Sequence, residues 1–260
     1  MRSMTPRGLL LALVLLFSGC PGRGPTATPA LDPLAALERA RQESWVRPVL
    51  GTFSIRLELP DRKIGASGLL ILAPPNRFRL ELRGPVGGPA LVVVSDGQML
   101  DVWLASSNTV WHAAEAEPLL RGLTGELFGL DAVVSLLGGR LPASDAWVAG
   151  PTGLTLTTPQ GVIATVVLDQ RGAHLMGVEA KDREGGVLLR ADLVPGRDYP
   201  DRLALQIPTL GGGAELEFDA WEAYEPEDVV FRIATPPSPT VVDAGSLLLP
   251  GASPEGTDGP

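Results

Sequence analysis

The sequence has little of the chemistry that disulfides, metal sites and nucleic-acid surfaces require. Its 260 residues include one cysteine, Cys20, and two histidines, His112 and His174. One cysteine excludes an intrachain disulfide and a multi-cysteine metal site, and two histidines exclude a histidine-rich metal site. The 21 basic residues are outnumbered by 30 acidic residues, so the net charge is −9, whereas a nucleic-acid-binding surface is positive. We expect no cofactor, no metal and no nucleic-acid partner.

Short catalytic motifs are also missing. The sequence contains no G-x-S-x-G, H-E-x-x-H, G-x-x-x-x-G-K-[ST] or G-x-G-x-x-G pattern, which are local signatures of hydrolases, metalloproteases and nucleotide-binding proteins. His112 and His174 each fall on a predicted strand, where a structural role is the ordinary one. The sequence therefore predicts a protein that is not an enzyme. The alternative, a hydrolase, would need a serine or aspartate cluster around His112.

The first twenty residues have the pattern of an export signal. Arg2 and Arg7 precede an apolar run over 8–17, and small residues then lead to Cys20. The run is shorter than the ~20 residues that span a bilayer, which favours a signal peptide over a membrane-spanning helix. Residues 17–20, Phe-Ser-Gly-Cys, resemble the bacterial lipobox, with phenylalanine where leucine is usual.

The lipobox resemblance implies cleavage before Cys20 and acylation of that cysteine, for example with palmitate. Several acyl chains on one residue anchor firmly, at ~0.8 kcal/mol per buried CH₂. Pro21 stands where an aspartate would resemble an inner-membrane retention signal. We therefore predict a signal peptide over 1–19 and a lipid-anchored protein of the cell outer membrane that faces the periplasm. A short membrane anchor, and an ordinary signal peptide with a chance cysteine, are the alternatives.

One domain lies between two segments of biased composition. Proline, glycine and threonine dominate 21–31, so 20–31 is predicted to be the lipidated cysteine and a flexible tether. Residues 236–260 are rich in proline and glycine and are acidic, and we predict a mostly disordered tail there. The predicted domain spans 32–235. The 31 glycines and 25 prolines of the chain exclude a coiled coil, while 45% apolar residues suffice for a core.

Alternating patterns dominate this domain. Asp32-Pro33 is typical of a helix start, and apolar residues at helical spacing continue to Val46. Apolar and polar residues then alternate over 53–59 and 77–83, as in strands with one solvated face. Further strands are predicted on both sides of two helices, at 114–123 and 126–138. The predicted fold is α+β, mainly β: a strongly curved antiparallel sheet, an incomplete β-barrel of about 11–13 strands, with an N-terminal helix and two mid-chain helices covering an apolar cavity.

Several motifs resemble, in order along the chain, the outer-membrane lipoprotein receptor LolB and its relatives, including the periplasmic carrier LolA. Residues 76–82 (NRFRLEL), followed by Pro-Val-Gly at 85–87, resemble the family's D/N-R-Y/F-R-L-x-L strand and Pro-Leu-Gly loop. Residues 114–125 resemble its helix ending in Leu-Thr-Gly, and 136–142 resemble the Leu-Gly-x-Pro close of the next helix. Residues 216–221 are similar to a late strand ending in tryptophan. The resemblance implies an incomplete barrel with a helical lid over an apolar cavity.

The chain also departs from the family pattern. Val86 stands where the family has an exposed loop leucine, and Ser135 stands where it often has tryptophan. The extension at 236–260 is not part of the pattern. These departures leave open a relative that keeps the fold but carries another lipid, or none.

The resemblance implies a receptor that accepts acyl chains of lipoproteins, or phospholipid, from a periplasmic carrier protein and inserts them into the outer membrane. Its membrane contacts would be the lipid-attachment site Cys20 and a loop formed by Pro85, Val86 and Gly87. The alternative function is a non-catalytic envelope scaffold or interaction lipoprotein that keeps the fold without a lipid cavity. The predicted cavity-lining residues are Phe53, Ile55, Leu57, Phe78, Leu80, Leu82, Trp103, Leu119, Leu123 and Leu136.

Overall fold

Strands account for most of the regular structure in the computed structural model. The structure describes residues 35, 38, 47–58, 62–84, 87–123, 127–142, 144, 146–150, 153–169, 174–208, 211–234 and 237–244. Its elements are β1 (Val49–Glu58), β2 (Lys63–Ala73), β3 (Arg77–Arg83), β4 (Pro89–Ser95), β5 (Leu100–Leu104), β6 (Thr109–Ala113), α1 (Ala116–Leu123), α2 (Leu130–Leu137), β7 (Val148–Gly150), β8 (Gly153–Thr157), β9 (Ile163–Leu168), β10 (Leu175–Lys181), β11 (Val187–Pro195), β12 (Pro200–Ile207), β13 (Gly212–Ala223), a 3₁₀ helix (Asp228–Phe231) and β14 (Thr240–Asp243).

The strands form one open, curved sheet of 14 strands in the order β14-β6-β5-β4-β3-β2-β1-β13-β12-β11-β10-β9-β8-β7. The chain therefore makes two antiparallel runs, β1 to β6 and β7 to β13, which join where β1 pairs with β13. The prediction of a curved, mainly β fold is confirmed. The sheet is mixed rather than antiparallel, because β14 joins β6 in parallel orientation.

Side-chain alternation gives the sheet an apolar inner face and an outer face that carries charged residues in β1, β11 and β13. The register aligns inward residues of eight consecutive strands in one row. The neighbouring outward row carries Arg56, Glu215 and Asp192. Such alternation is what a sheet with one covered face requires. The inward row is Leu57, Ala214, Leu205, Ala191, Val178, Val166, Leu154 and Ala149.

The two described helices connect the two runs of strands and cover the inner face. Helix α2 contacts β2 and β3, and α1 contacts α2. Glu117 of α1 holds the pair together: its carboxylate accepts the backbone N–H of Leu130 at 2.8 Å and the Nε–H of Arg121 at 2.8 Å. A carboxylate at a helix N-terminus satisfies a free N–H and complements the helix dipole. The predicted N-terminal helix lies outside the described residues, apart from helical Ala35 and Glu38.

A C-terminal strap, described over residues 224–234 and 237–239, contacts the outer face of β1 to β3 and precedes β14. Phe231 packs against Ile71 and Ala73 on that face, and the guanidinium of Arg77 lies 4.8 Å from the centre of its ring. Arg79 donates to the carbonyl oxygens of Val230 and Arg232. The strap thus covers apolar residues on the outer face of the first run of strands.

Part of the tail that was predicted to be disordered forms β14 at Thr240–Asp243, and 245–260 lie outside the described residues. Within the described parts of the chain, no helix has the length and apolar character needed to cross a membrane.

Candidate functional site

Most of the predicted cavity residues lie together on the inner face. The structure brings them into one cluster with residues of both helices and of the second run of strands. Phe53, Ile55, Phe78, Leu82 and Leu119 are buried there. Three others, Leu57, Leu80 and Leu136, are half-buried at its margin. The side chain of Leu123 lies outside the described residues.

Trp103 lies on the outer face, which differs from the sequence expectation that it lines the interior. Its register partners are Val92 on β4 and Val110 on β6, and Val92 in turn pairs with Glu81. Trp103 donates its indole N–H to Oδ1 of Asn108 at 3.3 Å. The inward tryptophan of this region is Trp111, which packs against the inner cluster.

The inner face and the helices are in close contact in this structure. Phe53 and Val134 are 1% and 0% exposed, so the centre of the layer between sheet and helices is filled by side chains. Phe128, in the segment between α1 and α2, is buried in the same cluster. A ligand in this layer would have to replace contacts between helix and sheet.

An aromatic track leads from this core to the surface along β1 and β13. The ring centres of Phe53 and Phe218 are 5.7 Å apart, those of Phe218 and Trp221 are 4.5 Å apart, and Trp221 stacks on Tyr199 at 5.0 Å. Phe53 is fully buried, whereas Trp221 and Tyr199 are half-buried. The track therefore joins the apolar interior to solvent.

Local backbone features hold Trp221 in this position. The register shifts between Thr52 and Phe53 because β13 carries one extra residue there, Asp219, and such a bulge bends its strand. Trp221 pairs with Gly51, and a Cβ at Gly51 would lie only 2.8 Å from two carbons of the indole. The indole N–H donates to the carbonyl oxygen of Pro200 at 2.9 Å. The ring can occupy this site because Gly51 has no side chain.

The track ends in a cleft of about 400 Å³ between the β11–β12 turn, β13 and the start of β1. Its floor includes Val49 and Phe218, which also belong to the buried cluster. The rim is charged. The side chains of Arg197 and Asp198 form a loose pair at 3.9 Å in which both are largely exposed. The lining residues are Arg47, Val49, Arg197, Asp198, Tyr199, Asp201, Phe218, Asp219, Ala220, Trp221, Glu222 and Ala223.

The predicted membrane-contacting loop is the β3–β4 hairpin. Cys20, Pro85 and Val86 lie outside the described residues. Gly87 is exposed at φ +89°, a conformation that favours glycine, and its N–H donates to the carbonyl of Gly84 at 3.0 Å. This hydrogen bond joins the described ends of the loop, Gly84 and Gly87.

His112 is the residue around which a hydrolase would need its catalytic cluster. His112 and Asp101 form a cross-strand pair with 2.6 Å between Nδ1 and Oδ1, and the residues in register with them, Val94 and Asp243, supply no hydroxyl or thiol. No group of three or more His, Cys, Asp or Glu side chains among the described residues has the geometry of a metal site.

Shifted pKa values occur on the exposed surface. Hydrogen bonding to Lys63 lowers the pKa of Glu58 below 4.5, and hydrogen bonding to Asp192 raises the pKa of Arg190. These ion pairs lie away from the apolar interior.

Comparison with solved structures identifies the fold. A LolA superfamily protein of Nitrosomonas europaea matches with a TM-score of 0.50 and 13% identity over 78% of this chain and 99% of the other. A Vibrio parahaemolyticus domain described as an outer membrane lipoprotein-sorting protein matches at 0.49 and 12% identity over 76% and 95%. A DUF1329 family protein of Desulfovibrio piger matches at 0.48 and 11% over 76% and 94%. No protein-family model and no curated protein matches the sequence. The chain therefore has a LolA/LolB-like fold, as its motifs predicted.

Proposed function

We propose that this protein binds acyl chains on the inner face of its sheet and helps to receive lipoproteins or lipids and insert them into the outer membrane. The observation that carries the proposal is the continuous apolar inner face, covered by a two-helix segment rather than by a second sheet. Each exposed CH₂ costs ~0.8 kcal/mol, so a 16-carbon chain needs shelter that contributes on the order of 12 kcal/mol. Apolar burial alone supplies this, and no catalytic group is required.

The helical cover suits this role. Because Glu117 ties α1 to the start of α2, the two helices form one unit. This unit buries Leu119, Leu130 and Val134 against the sheet. An acyl chain that enters beneath it replaces one set of apolar contacts with another, so the cost of lifting the helices is offset by burial of the ligand.

Two further features, both outside the described residues, would attach the protein to its membrane. The lipobox resemblance makes Cys20 the lipid anchor that holds the protein on the periplasmic side of the outer membrane. Val86, between β3 and β4 in the sequence, is the apolar residue that would contact the bilayer during insertion. A periplasmic carrier protein would deliver the cargo.

The first experiment uses the chain from residue 21 onward, secreted into a bacterial periplasm, so that β14 is retained. Native mass spectrometry and lipid extraction should find an acyl-bearing ligand at one per chain, and the delipidated protein should bind a fluorescent fatty acid saturably. An empty protein that also refuses the fatty acid would contradict the proposal.

A second experiment tests the hairpin tip. Val86→Glu should abolish transfer of a bound acyl ligand to liposomes but leave fatty-acid binding unchanged, because a charge at the tip opposes entry into the bilayer. Val229→Glu is the matched control, since Val229 is 67% exposed on the outer-face strap; it should retain both activities. Normal transfer by Val86→Glu would remove Val86 from the mechanism.

The filled interior favours a second candidate function, a non-catalytic scaffold lipoprotein of the envelope. Phe53, Leu70, Val134 and Val166 are almost completely inaccessible, as expected for a core that holds no ligand. This candidate predicts a protein partner and no lipid, so the fatty-acid titration separates the two.

A further inference from the structure

We propose that the cleft at the end of the aromatic track binds the polar end of an amphiphile that carries an ammonium group, as in a phosphoethanolamine headgroup, while the acyl chain follows the track inward. This inference rests on the proposed function and specifies its ligand.

The position of the cleft is the first reason. Val49 and Phe218 line the cleft and also belong to the buried inner cluster. From there the rings continue inward to Phe53, with centres 5.7 Å apart. A ligand with its chain beneath the helices could therefore leave its polar end in the cleft without crossing a polar barrier.

The size and surface of the cleft are the second reason. Its volume of about 400 Å³ lies within the ~300–1,000 Å³ of ordinary ligand sites. Trp221 and Tyr199 form a half-buried stack at its side, with 5.0 Å between ring centres. An ammonium group within ~6 Å of an aromatic face is attracted by the ring quadrupole, and Tyr199 is the last ring of the track.

Charge decides which polar end fits. Four carboxylates line the cleft against two guanidinium groups. Arg197 is largely offset by Asp198, 3.9 Å away. The remaining charged residues of the lining are Arg47, Asp201, Asp219 and Glu222. Their excess of negative charge disfavours a ligand whose polar end is a carboxylate or a glycerol phosphate. An ammonium group suits these acids, and Arg47 suits the phosphate that accompanies it.

The test is a displacement titration with lipids that share one 16-carbon chain. The protein from residue 21 onward is loaded with a fluorescent fatty acid, and lysophosphatidylethanolamine, lysophosphatidylglycerol and palmitate compete at monomeric concentrations. We expect the ethanolamine lipid to bind about fivefold more tightly than the glycerol lipid, a preference that shrinks in high salt because the carboxylates are exposed.

Paired variants locate the preference. Asp219→Asn with Glu222→Gln should remove the preference while palmitate binding stays unchanged or improves. Tyr199→Leu should weaken the ethanolamine lipid more than palmitate. The control pair is Glu217→Gln with Glu225→Gln, two exposed acids close to the cleft but outside its lining, which should keep the preference.

The outcomes separate the inference from the proposed function. Equal affinity for the two lysolipids, with palmitate still bound, overturns the headgroup site and leaves acyl binding in place. A preference that survives the Asp219 and Glu222 changes also overturns it, because the selectivity would then lie elsewhere. Failure of all three lipids to displace or bind overturns the proposed function itself.

Discussion

Gly51→Ala tests whether the aromatic track requires a residue without a side chain opposite Trp221. The new Cβ would lie 2.8 Å from Cε3 and Cζ3 of the indole and 3.0 Å from Cη2. Ordinary carbon–carbon contacts lie at ~3.5–4.0 Å, so the ring must move by about 0.7 Å or more. It cannot do so without disturbing its stacks on Phe218 and Tyr199 and its hydrogen bond to Pro200.

The expected loss of stability follows from these contacts. Each aromatic pair contributes ~0.5–1.5 kcal/mol beyond burial, the hydrogen bond contributes ~1 kcal/mol, and overpacking costs ~1–3 kcal/mol. Because the ring can shift partway and keep some contacts, we expect Gly51→Ala to lower the free energy of unfolding by about 2 kcal/mol.

Urea unfolding followed by far-ultraviolet circular dichroism measures this change without relying on tryptophan emission. Gly65→Ala is the matched control, because a Cβ on that strand glycine meets nothing within 4 Å; its cost should stay within about 0.5 kcal/mol. In a Trp221→Leu background, Gly51→Ala should cost less than about 0.5 kcal/mol. An equal cost in both backgrounds would refute the assignment of Gly51 as the site that accommodates the ring.

Three other predictions concern the helical cover, the strap and a surface pair. Glu117→Ala should lower the free energy of unfolding by about 1 kcal/mol, since α2 loses its N-terminal hydrogen-bond acceptor; an unchanged urea midpoint would count against this role. Asn108→Ala should speed amide exchange in β14, because the Asn108 side chain donates to the carbonyl of Pro237 at 2.9 Å; unchanged exchange there would contradict it. Lys63→Ala should raise the pKa of Glu58 toward 4.5, visible by carboxyl NMR titration. A lowered pKa means that the attraction is present at neutral pH and is lost as the pH falls through the folded-state value; an unmoved titration would exclude Lys63 as the cause.

Strand pattern predicted the inner face well where one face of the sheet is solvated. In β1, inward Phe53, Ile55 and Leu57 alternate with Ser54 and Arg56, and their burial alternates in the same way. In β3, Phe78 and Leu82 are buried among charged neighbours. Period-two patterning carries this information because each strand residue faces opposite to the one before it.

The same reasoning did not place Trp103, because β4 is apolar on both faces and β5 has one charged residue, Asp101, to mark its outer face. Val92 and Val94 are buried on the outer face, in register with Glu81 and Arg79 of β3. The strap comes from beyond β13, and β14, which follows the strap, pairs with β6 more than a hundred residues earlier in the chain. The position of Asp101 two residues before Trp103 was the local signal that Trp103 faces outward.

The sequence patterns also did not predict the aromatic track, because its residues are brought together by strand pairing and not by local periodicity. Phe53, Phe218, Trp221 and Tyr199 come from three strand regions, which meet because β13 pairs with both β1 and β12. Gly51 permits the arrangement because it has no side chain. It is one of 31 glycines, and the sequence does not distinguish it from the others. The fold could therefore be predicted from periodicity and motif order. The cleft could not, because it depends on the long-range pairing of β1 with β13 and on the bulge in that pair. Its ligand must be sought in the charge and aromatic faces that this pairing brings together, since the core supplies shelter but no chemical selectivity.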